Sequence, residues 1–412
     1  MTTISVASNE EIRAQFPALK RLQDGQPVAY FDGPGGTQVP QSVVDAIADY
    51  MLNHNANTHW AYQTSRETDE IISESRQTLA DFLNAEPEEI VFGQNMTTLT
   101  LHLARTLGRN WQPRDEIIVT ELDHHANIDT WRSLESERGI VFRHIPFDPE
   151  SGQLEIDKLP QLINHHTKLL AIGAASNALG TMPDVTAACQ SAKAAGILTF
   201  VDAVHYAPHN LVDTRAINCD FLACSAYKFY GPHIGILFGR NELLSKLNFP
   251  KLKPAPDTAP EKVETGTQNH EAIAGAAAAV NFLASLASSG NRRERLAATF
   301  SVLHQRQADF VMRLWTGLNE IPGVRIYGPS PDFPRTSTIS FTVQNYLAET
   351  VTEFLSDRGV FVSNGDFYAM TVIEKLGLAE SGGLIRVGCS CYTNLAEVNR
   401  FLEGVAAFVK RH

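Results

Sequence analysis

Between about residues 80 and 240 the chain alternates short apolar runs with longer stretches whose apolar residues recur at helical spacing. No other feature constrains the fold as much. Strands joined by helix-length connections pair in parallel, and a parallel sheet must bury both of its faces. Seven runs qualify as strands: EIVFG, DEIIVTEL, IVFRHIPF, KLLAIGAAS, ILTFVDAV, FLACSAY and GILFG. They predict an α/β fold with a mostly parallel seven-stranded sheet, whose ligands bind outside the carboxyl ends of the strands. With 412 residues, 43% of them hydrophobic, the chain has enough apolar surface for such a core.

A Pro-rich stretch, NFPKLKPAPDTAPEKVETGTQN, separates this region from an Ala-rich helix beginning near 270. Beyond about 290 a long amphipathic helix is expected. It is followed by GVRIYG, TSTISFTV, GVFVSN and LIRVGCS, with a helix on either side of the third, as in a small α+β domain. The expected organisation is a segment 1–35 packing with the small domain, a large ligand-binding domain 36–290 and a small domain 291–412. A net charge of -12 and the lack of any basic block argue against nucleic acid as a partner. No run of about 18 apolar residues is present to cross a membrane. The N-terminal residues lack the pattern of a signal peptide. The five cysteines form no CxxC pair, which suits reduced thiols and a cytoplasmic location.

The strand ends carry the chemistry. After EIVFG, Thr97 and Thr98 open a helix, where free N–H groups and the dipole favour an anion; a plain N-cap is the simpler reading. DEIIVTEL leads into DHHAN. Its adjacent His124 and His125 match no zinc spacing, and one of the rings suits packing on an aromatic ligand. KLLAIGAAS ends at Asn177, a neutral hydrogen-bonding group in a turn. ILTFVDAV ends on Asp202, a carboxylate with no counter-charge nearby in sequence, so burial requires it to find a cation or strong donors. Lys228 follows the sixth run in SAYKFYGPH, where the pattern predicts burial. Lysine is rarely buried without a partner, so this position holds either a surface residue whose stem snorkels out or an amine desolvated in order to react.

Singly, each of these has an ordinary structural explanation. Together they offer a cradle for phosphate, a ring to stack, a carboxylate for a ring nitrogen and an amine for an aldehyde. Those four features describe pyridoxal 5′-phosphate (PLP). The motifs DHHANIDTW, SNALGTMPD, VDAVHYAPH, SAYKFYGPHIGILFG and ETGTQN, in that order, resemble the class V aminotransferases of PLP fold type I, and within them the cysteine desulfurases and selenocysteine lyases. The resemblance runs from YFDGPGGTQVP at residue 30 to RVGCSCYTNLAEV near the end.

The resemblance implies that Lys228 bonds to the cofactor, His124 stacks on its ring and Asp202 pairs with the ring nitrogen. Asn177 would lie near the phenolic oxygen, and Thr97, Thr98 and Ser225 would hold the phosphate. Thr267 would reach the phosphate of the neighbouring subunit, which implies a homodimer. Arg386 would clamp the substrate carboxylate, with Asn57 also on the substrate. There are departures: His205 replaces a usual glutamine, Tyr227 a usual histidine, and QNMTT a Gly-Thr-Thr turn. Each keeps donor capacity at the cofactor.

One departure touches the reaction itself. Desulfurases carry a loop cysteine that takes sulfur as a persulfide, and Tyr368 stands at that position here. A phenol cannot accept sulfane sulfur. The resemblance places Lys228, His124 and Tyr368 at the reacting atoms, with Tyr368 either relaying a proton or orienting a side chain, or only covering the pocket as a loop aromatic. The five cysteines read as structural; Cys389 and Cys391 lie at odd offsets from Arg386 and would face away from it. The expected activity is C–S lyase or desulfurase-type chemistry on a small amino acid. Transamination or epimerisation of another amino acid, and a PLP-fold protein kept only for binding, are the alternatives.

Overall fold

The computed structural model describes residues 4–411. All seven expected runs form strands: β1 (Ile90–Gly93), β2 (Glu116–Thr120), β3 (Val141–Ile145), β4 (Thr167–Gly173), β5 (Leu198–Asp202), β6 (Phe221–Ser225) and β7 (Gly235–Gly239). They lie in one sheet in the order β1-β7-β6-β5-β4-β2-β3. Strands β2 to β6 pair in parallel, whereas β7 is antiparallel to both β6 and β1. The connection from β6 to β7 explains this, because it is too short for a crossover and can only turn back.

Alternation along the strands fills two cores. Ile118, Leu170, Ile172, Val201 and Leu222 pack on one face of the sheet. Their neighbours Ile117, Val119, Leu169, Ala171 and Phe200 pack on the other. Both faces are therefore dry, as a parallel sheet demands. The chain runs outward from β2 to the edge strand β3 and then crosses back to β4, so the strand order reverses between β2 and β4. Ligand crevices open at such reversals, outside the carboxyl ends.

Helix α1 (Met96–Gly108) follows β1, and α2 (His270–Ser285) is the Ala-rich helix. The long amphipathic helix α3 spans Arg292–Asn319. Asn291 and Glu294 start it with reciprocal side-chain to backbone hydrogen bonds of 2.9 Å each. Beyond it lie β8 (Val324–Tyr327), β9 (Thr338–Val343), β10 (Ser363–Gly365) and β11 (Leu384–Gly388), in an antiparallel sheet ordered β8-β9-β11-β10. This sheet has its own core, which includes Ile339, Phe341, Ile385, Val387 and Phe401.

Two expectations need correction here. The run GVFVSN does not form one strand. Val360–Phe361 pairs in parallel with Ala29–Tyr30, and Ser363–Gly365 then joins β11, so the run serves two partners in succession. Strand β11 ends at Gly388, so side-chain alternation does not extend to Cys389 and Cys391. The N-terminal segment also contacts both cores: Ala29 and Phe31 lie in the small-sheet core, while Ile12 and Phe16 lie in the large one.

Candidate active site

The carboxyl ends of β1, β2, β4, β5 and β6 meet at two adjoining cavities, an inner one of about 560 Å³ and an outer one of about 660 Å³. Both are lined by Lys228, His124, Asn177, Tyr227 and Thr97. A single helical turn after β6 turns Lys228 inward, and only 9% of its surface is exposed. Its Nζ donates to the carbonyls of Pro34 (2.5 Å) and Gly35 (3.0 Å) and lies 5.0 Å from the Tyr227 ring centroid. It forms no ion pair among the described residues. Burial, helped by the Arg386 charge and opposed by Asp202, lowers its pKa from 10.5 to about 7. A large share of the amine is thus uncharged at neutral pH, as a nucleophile or base requires.

The inner cavity is lined by His124, Asp202, His205 and Asn177. His124 follows β2, and its Nδ1 accepts a 2.9 Å hydrogen bond from the Ala126 N–H, which fixes the ring's orientation. Burial, together with the Lys228 charge, lowers its pKa to about 4, so the imidazole is neutral and suited to stacking. Asp202 ends β5, buried, with Oδ1 accepting 2.9 Å from the Val204 N–H. Burial raises its pKa to about 6, against the Val204 N–H and the Lys228 charge. The His205 Nε2 lies 3.2 and 3.0 Å from the hydroxyls of Thr336 and Thr338, while its buried Nδ1 has no partner. Asn177 donates through Nδ2 to the Phe367 carbonyl at 2.8 Å, and its Oδ1 is buried without a partner.

One end of the inner cavity is the start of α1. Asn95 caps the helix: its Oδ1 accepts from the Thr98 N–H (2.9 Å), and the Thr98 hydroxyl accepts from the Asn95 N–H (3.2 Å). The Thr98 hydroxyl is therefore engaged in the cap, while Thr97 lines both cavities. The Ser225 hydroxyl accepts from the Met96 N–H at 3.2 Å and ties the helix start to β6. Gly235 on β7 makes this approach possible, because a Cβ there would lie 2.4 Å from the Asn95 carbonyl carbon. The result is a polar cradle backed by a helix N-terminus. Tyr227 closes its side, stacked on His233 at 4.8 Å and 12°.

Arg386, on β11, reaches the outer cavity although it is almost fully buried. Its Nη1 donates to the Asn177 carbonyl at 2.8 Å, and the Phe367 ring lies 3.9 Å from its guanidinium carbon. Its Nε has no partner. Phe367 and Tyr368 both adopt left-handed backbone, with φ of 55° and 57°. The Asp366 carboxylate holds this turn by accepting from the Tyr368 N–H at 2.8 Å. The His125 N–H donates to the Tyr368 carbonyl at 2.7 Å, and the Tyr368 ring stacks on His124 at 5.5 Å and 20°. The phenol itself is 71% exposed.

Two sequence-predicted residues lie elsewhere. Thr267 and Asn57 line a separate groove of about 1,390 Å³, away from Lys228 of the same chain. All five cysteines are buried and unpaired, and none lines either cavity. Burial pushes Cys189 and Cys391 up to about 12, so these thiols stay protonated. No metal-binding cluster exists among the described residues. Sequence reasoning missed Phe367, the Pro34 and Gly35 carbonyls, and Asp123, which lines the inner cavity.

The model of the family described as Aminotransferase class-V matches residues 29–401. A cysteine desulfurase from Serratia proteamaculans is 32% identical, covering 97% of this chain and 98% of its own length. Another from Pectobacterium carotovorum is 32% identical over 96% and 97%. Among solved structures, the apo cysteine desulfurase of Thermococcus onnurineus superposes with a TM-score of 0.89 at 28% identity, covering 100% of both chains. A cysteine desulfurase from Escherichia coli gives 0.85 at 26%, covering 99% of this chain and 100% of that one. The chain is an α/β protein of PLP fold type I and belongs to the class V aminotransferase family.

Proposed function

We propose that this protein is a PLP-dependent C–S lyase acting on a small amino acid that carries sulfur at its β-carbon. The cavity suits the cofactor on this chain's own atoms. Asn177 Oδ1 and His205 Nδ1 are buried polar atoms without protein partners beside the inner cavity, and Thr97 brings the positive end of the α1 dipole to it. Lys228 would hold the cofactor aldehyde, Asp202 its ring nitrogen, and His124 the face of its ring. Ser225 and Thr97 would hold its phosphate, with Tyr227 at the side. Bound there, PLP supplies a sink for the electron pair left when the Cα–H bond breaks.

The protein's share of the reaction would fall to Arg386 and Lys228. Arg386 binds the substrate carboxylate through its guanidinium, which Phe367 and the Asn177 carbonyl hold in plane. Lys228, with a pKa near 7, takes the Cα proton as a general base. The sulfur substituent then leaves Cβ with its bonding pair. Cysteine and water would give pyruvate, ammonia and sulfide. The observation that carries this reading is that no thiol reaches either cavity, and that the loop residue stacked on His124 is Tyr368.

The relatives' activity favours a second reading, in which cysteine is desulfurated and sulfur passes directly to an external thiol. Incubating the PLP-loaded enzyme with cysteine separates the two. Pyruvate matching sulfide supports the lyase; alanine in place of pyruvate, forming only with added dithiol, sinks it. Thr267 and Asn57 would complete the site of a second copy in a homodimer, and free, protonated thiols suit a cytoplasmic protein.

A further inference from the structure

His233 lines the inner cavity, yet its imidazole makes no hydrogen bond or ion pair among the described residues. The chain reverses between β6 and β7, where the Ile234 N–H donates to the Pro232 carbonyl at 3.0 Å, a three-residue turn with His233 at its centre. Two residues on, Gly235 lies against Asn95, which holds this turn beside the start of α1. The exposed His233 ring stacks on Tyr227 at 4.8 Å and 12°. Tyr227 is itself anchored. Its carbonyl accepts from the Thr37 N–H (3.1 Å) and hydroxyl (3.2 Å), and its ring packs against Gly36, where a Cβ would lie 3.3 Å from Cδ2.

A phosphate monoester carries close to two negative charges at neutral pH, and this cavity is short of cations. No arginine lines it, its two acids are Asp123 and Asp202, and its one lysine is Lys228, which the placement above gives to the aldehyde. Burial lowers the pKa of His124 to about 4 and that of His205 well below the usual histidine range, so both rings are neutral. The start of α1 is partly engaged as well: the Met96 N–H donates to the Ser225 hydroxyl and the Thr98 N–H to Asn95 Oδ1. That leaves His233 as the basic side chain in the lining with no other partner for an anion to displace. We propose that His233 is a ligand of the cofactor phosphate, donating a ring N–H to one of its oxygens beside Ser225 and Thr97. This rests on the cofactor placement proposed above.

A ring that only packed on Tyr227 would support the whole cavity alike, whereas a phosphate ligand distinguishes PLP from pyridoxal, which lacks the phosphate. The test is the affinity of the apoprotein for each, read from the absorbance of the bound compound. His233→Phe keeps a ring on Tyr227 and removes the donor. It should weaken PLP by about tenfold or more, the loss of one hydrogen bond to a charged group, and leave pyridoxal unchanged. His233→Lys, which keeps a cation, should keep the preference for PLP. Unchanged PLP affinity in His233→Phe, or an equal loss for both compounds, overturns the proposal. If that variant does not fold, the wild type decides: PLP should protect His233 from acylation by diethyl pyrocarbonate, mapped on peptides, and pyridoxal should not. Equal protection by both refutes the contact. A wild type that binds neither compound overturns the cofactor placement and this proposal with it, whereas PLP bound normally by His233→Phe removes only the role of His233.

Discussion

Replacing Lys228 with methionine should stabilise the apoprotein at neutral pH, and the gain should disappear as the solution becomes alkaline. The lysine ionises at about 7 in the folded chain and at 10.5 ordinarily. Between those values the unfolded chain binds a proton that the folded chain does not, so wild-type stability rises with pH across that window. Below pH 7 the folded amine carries the whole cost of its buried charge, and above 10.5 it carries none. At 1.36 kcal/mol per pH unit the cost is about 4 kcal/mol at pH 7 and about 2 kcal/mol at pH 9. Against this, methionine makes no hydrogen bonds to the Pro34 and Gly35 carbonyls, a loss of about 1 kcal/mol each. Lys228→Met should therefore be more stable by about 2 kcal/mol at pH 7, equal near pH 9, and less stable by about 2 kcal/mol above pH 10.5. Working above pH 7 keeps Asp202, raised only to about 6, mostly ionised in the wild type. Urea denaturation of both apoproteins at several pH values measures the gap. A gap that stays constant from pH 7 to 10, or a wild type more stable at pH 7, would show that the amine is not desolvated.

The remaining expectations concern neighbouring contacts. Tyr368→Phe keeps the ring on His124 and should retain turnover, whereas Tyr368→Ala should raise the KM severalfold; a large fall in kcat for the Phe variant would instead make the hydroxyl a proton donor. Arg386→Lys should raise the KM for the amino acid more than it lowers kcat, because lysine cannot offer a planar pair of donors; equal binding in a substrate titration refutes the clamp. Gly173→Ala drives a methyl group into Asp123 Oδ1 and should cost about 1–3 kcal/mol in urea denaturation; a neutral effect would mean that the carboxylate moves freely. On the proposed homodimer, mixing Lys228→Ala with Thr267→Ala subunits should recover part of the activity that each lacks alone, since one of the two mixed sites would then be intact. No recovery in a mixed dimer would place Thr267 outside the site.

The sheet was legible because its strands are short apolar runs separated by helix-length connections, a pattern set by local chain geometry. Lys228, Asp202 and Asn177 were legible for a related reason: each lies at or just past the end of an apolar run, and a parallel sheet brings such residues to one edge. What could not be read are contacts decided by tertiary approach. Phe367 lies next to Tyr368 in sequence but reaches Arg386 only because the turn holds left-handed backbone. The split of GVFVSN depends on the N-terminal Ala29–Tyr30 arriving alongside, which nothing within the run announces.

Asp123 shows where the boundary falls. In ELDHHAN it is an unremarkable acid, and the histidines after it draw attention away. Its two signals are local and weak: a carboxylate just past the run DEIIVTEL, and Asn127 four residues on, able to reach back to it. Neither identifies the third contact, the N–H of Gly173, which is 50 residues away in sequence. Only strand order places β4 next to β2, and only the missing side chain of Gly173 leaves room for a second carboxylate beside Asp202. A glycine at the end of a buried strand, usually attributed to a turn, here admits a charge. The residue that makes room for Asp123 is thus as much a part of the site as the acids it brings together.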